Sequence, residues 1–205
     1  MKKIMFNDKY GLTDAVLKGR KTMTRRIIRN LLNFDPRQDW IEWGIDEKGK
    51  ANIAIFHNET YKYSIYPQYQ PGEVVAVAQR YSELSWDKRF YDNLCSMCER
   101  LPQYELKGWD NKMFVRADIM PHQIRITDIK VERLQDISDE DCMCEGVTWD
   151  YDDYPIMSRK VYFINDYEAF LSPHLAFAAL INRICGKSTW ELNPFVFAYT
   201  FELIK

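Results

Sequence analysis

The chain has no apolar run approaching the roughly 20 residues that a membrane-spanning helix needs. Its N-terminus, MKKIMFNDKYG, turns polar after Phe6, too early for the apolar region of a secretory signal. Both absences imply a cytoplasmic protein. There is no internal repeat, no low-complexity tract and no linker rich in Pro, Gly or Ser, so residues 1–205 read as one domain with long insertions. The five cysteines (Cys95, Cys98, Cys142, Cys144 and Cys185) are an odd number, which argues for reduced thiols. Cys95 and Cys98, in CSMC, have zinc-like spacing. The second pair, Cys142 and Cys144 in CMC, is one residue too tight to complete a four-ligand site. No metal and no cofactor is expected. The net charge is −2. That leaves no extended cationic footprint for a nucleic-acid duplex, which needs many cations on one face.

What is present is a local excess of the missing charge. LKGRKTMTRRIIRN, Leu17 to Asn30, holds Lys18, Arg20, Lys21, Arg25, Arg26 and Arg29 and no acid. It follows TDAVLKG, which reads as a short helix capped by Thr13 and ended by Gly19. A turn-like conformation after that helix would let the Lys21 ammonium meet the Thr24 hydroxyl. A threonine hydroxyl is a weak nucleophile and needs such a base. The neighbouring cations would lower the lysine pKa. The same residues also suit a phosphate-binding loop or a solvated charge run.

Elsewhere the pattern is strand-rich. KKIMFN reads as a first strand, and residues 31–70 as aromatic and irregular with alternating fragments such as YKYSIY. Pro71-Gly72 turns into the β run Val74 to Ala78. HQIRITDIKVERL alternates with a register change at Thr127-Asp128. SDEDCMCEG reads as a short helix with Ser138 as cap and Gly146 as stop. SPHLAFAALINRICG reads as a longer helix with Ser172 as cap, Pro173 in its first turn and Gly186 beyond its end. NPFVFAYTFELI is a strand alternating Phe195, Phe197, Tyr199 and Phe201 against Val196, Ala198 and Thr200. Together these predict an α+β fold: a small, mostly antiparallel β-barrel with flanking helices and insertions near 31–70, 82–120 and 148–166.

Four segments in order resemble the ASCH domain family of the PUA-like superfamily, in its longer, phage- or prophage-associated type. They are GRKTMTRR, QPGEVVAVAQ, ITDIKVERLQDISDEDCMCEGV and FAALINRICGKSTWELNPFVFAYTFELI. The resemblance implies a barrel with a cleft lined by Lys21, and RNA or a modified nucleoside as partner. Some small members of the family hydrolyse the amide of N4-acetylcytidine with a lysine, a threonine and a glutamate. Those fall on Lys21, Thr24 and Glu145 here. The further candidates for ligand contact are Arg20, Arg25, Arg26, Arg80, Arg116 and His122. One departure stands out: Ala78-Gln79 occupies the place of an Arg-Glu pair in longer relatives. A role in phage assembly or defence is the remaining expectation. Trp40, Trp43, Trp86 and Trp109 are candidates for base stacking or core packing.

Overall fold

A computed structural model describes all residues except 33, 85–86, 98–102, 153–158, 165–167 and 205. Trp86 and Cys98 therefore lie outside the described residues. In chain order the elements are β1 (Lys2–Ile4), α1 (Leu12–Leu17), β2 (Met23–Ile27), β3 (Asp39–Ile45), β4 (Ala51–His57), β5 (Thr60–Ile65) and β6 (Val74–Val77). Then come α2 (Tyr81–Leu84), α3 (Lys88–Met97), β7 (Gln123–Arg133), α4 (Asp139–Cys144), β8 (Thr148–Asp152), β9 (Arg159–Phe163), β10 (Ala169–Phe170), α5 (Pro173–Cys185), α6 (Thr189–Leu192) and β11 (Phe195–Leu203). The fold is mixed α+β. Among the described residues no helix is long and apolar enough to cross a membrane.

The chain forms two compact units. The first comprises residues 1–20, 74–125 and 202–205. Here β1 pairs parallel to β6, and β6 pairs antiparallel to the start of β7. A core of Ala76, Ala78, Tyr81, Leu84, Phe90, Leu94, Val115 and Met120 fills it, and Trp109 packs against that core. Gly108 lies under the Tyr81 ring, where a Cβ would come within 2.5 Å of Cε2, so only glycine leaves room. A polar clasp closes the loop before α1. Lys112 Nζ donates to Phe6 O at 2.7 Å, Asp8 Oδ1 at 2.6 Å and Thr13 Oγ1 at 2.9 Å. Thr13 is thus not the helix cap that the sequence suggests. Gly11 precedes α1, and the Thr13 hydroxyl donates to Asp8 instead, at 2.6 Å.

The second unit comprises residues 21–73 and 126–201. In it β7, β11 and β2 lie side by side in that order. Residues 39–65, which read as irregular, form an antiparallel meander of β3, β4 and β5. A second meander joins β8, β9 and β10. Among the described residues no ladder closes these strands into a barrel. The sequence signals for α5 hold at both ends. Ser172 Oγ accepts from the Leu175 N–H, Pro173 opens the helix, and Gly186 ends it at φ 116°. Phe177, Leu180 and Ile181 of this helix are buried.

Candidate functional site

The site grows from two elements of the second unit. The Thr22 N–H donates to Cys144 O at 2.9 Å, which ties the start of β2 to the end of α4. β2 itself is extended rather than turn-like, because it pairs along its length with β11. Thr24 stands opposite Tyr199 and Arg25 opposite Ala198. Strand alternation therefore places Thr24 and Arg26 on one face and Arg25 on the other. The local cation run gave no hint of this, since a partner strand some 170 residues away fixes it.

α4 begins as its sequence suggests, with Ser138 accepting from the Asp141 N–H. It ends at Glu145, where backbone carbonyls and a carboxylate crowd the negative end of a helix. Lys21 relieves both. Its Nζ donates to Glu145 Oε2 at 2.6 Å and to Glu145 O at 2.7 Å. Lys21 is 1% exposed and Glu145 4%. Burial pushes the Lys21 ammonium toward its neutral form, and the positive Arg26 and Arg25 add to that. The Glu145 carboxylate works in the opposite sense and only partly offsets them.

Arg25 extends the network. It donates from Nε to Glu132 Oε1 at 2.8 Å, from Nη2 to Asp141 Oδ2 at 2.6 Å and from Nη1 to Glu145 Oε1 at 3.3 Å. Burial disfavours its charge, but Glu145, Glu132 and Asp141 outweigh that and hold it firmly protonated. Two buried cations thus face three carboxylates, and Glu145 bridges the two cations. Sequence reasoning missed Glu132 and Asp141. The signal available was indirect: an acid-free cation run in an acidic chain must find its counter-charges elsewhere in the fold.

The other candidates lie elsewhere. Arg20, in the first unit, is exposed and bonds Asp14 at 3.3 Å, an acid it shares with Lys18. Arg26 and Arg29 are exposed in the second unit. Arg80, Arg116 and His122 all belong to the first unit. Arg80 pairs with Glu83 at 2.6 Å, and Arg116 with Asp118. His122 Nδ1 lies 2.6 Å from the Oε1 of Gln79, a buried side chain, and burial lowers its pKa. Gln79 therefore acts as the fixed partner of His122. Among the stacking candidates, Trp109 is a core residue, as above. Trp40 stacks on Phe56 with centroids 3.9 Å apart, and the Trp43 ring lies 6.3 Å from that of Phe197.

Among the described residues, no group of three or more His, Cys, Asp or Glu side chains could hold a metal ion. Burial pushes the Cys142 thiol up to about 12, so it is not a nucleophile at neutral pH. No family model, no curated protein and no solved structure matches the chain.

Proposed function

We propose that the second unit is a PUA-like, ASCH-type module that recognises a modified nucleoside beside Lys21 and Glu145. One observation carries this reading: a lysine and a glutamate, both buried, share a hydrogen bond at 2.6 Å directly before a strand that bears Thr24 and the exposed Arg26. A carboxylate and an ammonium held in fixed orientation suit the donor and acceptor edge of a base. Long RNA is the lesser partner. Lys21 and Arg25 are neutralised internally, and Lys18 and Arg20 share Asp14, so the run offers less free positive charge than its composition suggests.

The buried lysine–glutamate pair also supports a second reading, hydrolysis of an N4-acyl cytidine. In this reading Lys21 first passes a proton to Glu145 along their hydrogen bond, and the amine then accepts a proton from a water, whose oxygen attacks the acyl carbon. The C–N4 bond breaks as Glu145 gives the proton it holds to the departing N4, giving cytidine and a carboxylic acid and restoring the ammonium–carboxylate pair. Thr24, on the strand that follows Lys21, orients that water.

A ligand that binds only the folded state raises the melting temperature. N4-acetylcytidine at millimolar concentration is expected to raise it for the wild type and not for Glu145→Gln. An unchanged melting temperature in a folded wild type removes the nucleoside reading. Ultraviolet absorbance of the same mixture reads hydrolysis: loss of the acetylcytidine band in the wild type, absent in Lys21→Met, supports the enzyme. A band stable over hours leaves recognition without catalysis.

A further inference from the structure

One face of the β8–β9–β10 meander carries exposed aromatic rings. Register pairs Trp149 with Tyr162 and Tyr151 with Lys160, and Tyr162 pairs in turn with Phe170. All five side chains therefore stand on one face of the sheet. Asp150 pairs with Val161, which is buried, on the opposite face. Trp149 is 46% exposed and Tyr151 57%. Their rings meet edge to face with centroids 5.7 Å apart. Lys160 Nζ stands 4.1 Å from the Trp149 ring centre and 5.4 Å from that of Tyr162. The ammonium is thus held in place by ring faces, with no carboxylate among these five side chains to neutralise it.

We propose that this face binds an unpaired nucleic-acid strand, with bases stacking on Tyr151 and Trp149 and a phosphate meeting Lys160. Exposed rings on a pleated sheet offer π-faces to bases that a duplex would hide. A fixed ammonium among them complements the backbone charge. Because the face bears one cation rather than a stripe, stacking supplies most of the affinity and the salt dependence is shallow. The surface acts independently of Lys21 and Glu145, so it stands or falls separately from the nucleoside reading.

The test uses the full chain and a fluorescein-labelled oligouridine of about 12 nucleotides, followed by anisotropy in about 50 mM salt. Wild-type binding is expected to weaken about fivefold or more in Trp149→Ala and in Tyr151→Ala. Tyr151→Phe keeps the ring and is expected to bind as the wild type does. Lys160→Gln is expected to flatten the slope of log affinity against log salt by about 0.7. Circular dichroism verifies the fold of each variant, and the substituted positions are exposed. Absence of wild-type binding, or full affinity in both alanine variants, overturns the proposal.

Discussion

Arg25 has no exposed side-chain surface, yet it contacts three carboxylates. Such networks are costly to break from one side, because Glu132 and Asp141 lose this cation and Glu145 keeps only Lys21. Arg25→Leu is expected to lose about 3–5 kcal/mol in urea unfolding. A loss under about 1 kcal/mol would mean that the carboxylates re-solvate freely. Asp8 gives a test in pH. Burial alone would raise its pKa, but the hydrogen bonds from Lys112 and Thr13 and the charge of Lys112 hold it below the ordinary value. The folded state therefore binds fewer protons than the unfolded state in the acid range. This contribution is present above the unfolded pKa and is lost as pH falls through the folded one. Asp8→Asn is expected to be less stable than wild type at pH 7, with the difference shrinking below about pH 4. A difference constant across that range would count against the clasp. At this scale the sequence made Lys21 and Glu145 visible as candidates, 124 positions apart, through a resemblance rather than through spacing. Glu132 and Asp141 were invisible, because only the fold carries them to Arg25.

α4 is six residues long, so its ends decide its position. Ser138 fixes one end and Lys21 the other. Ser138→Ala is expected to cost about 1 kcal/mol and to weaken ligand binding by freeing Asp141 and Glu145 together. Stability loss with unchanged binding would separate the cap from the site, a result read by calorimetry beside urea unfolding. Elements with local signals were legible. α5 announced itself through Ser172, Pro173 and Gly186, and β11 through alternating aromatics. β2 did not, because its cations suit a loop and its pairing with β11 is distant in sequence. The meander of β3 to β5 was obscured for a different reason. Trp40 and Trp43 are both partly exposed although, three positions apart, they belong to opposite faces, so large rings blur the period of two that marks a half-buried strand.

For the whole molecule, the acid-free run that seemed at odds with a net charge of −2 has a physical answer. Lys21 and Arg25 serve the interior of the second unit, Lys18 and Arg20 share Asp14, and Arg26 and Arg29 remain exposed. Composition could not separate these roles. The α+β class followed from strands and helices that alternate along the chain, and the two compact units are each assembled from separate segments of it. Under the proposed function, the small number of unneutralised cations in this run favours a small ligand over an extended phosphate backbone.

The most direct test is a calorimetric titration of the full chain with N4-acetylcytidine. Saturable binding is expected of the wild type, weakened about tenfold or more in Glu145→Gln, a loss in line with removing a hydrogen bond to a charged group. No binding by folded wild type, or equal affinity in the folded variant, would contradict a nucleoside site at Lys21 and Glu145.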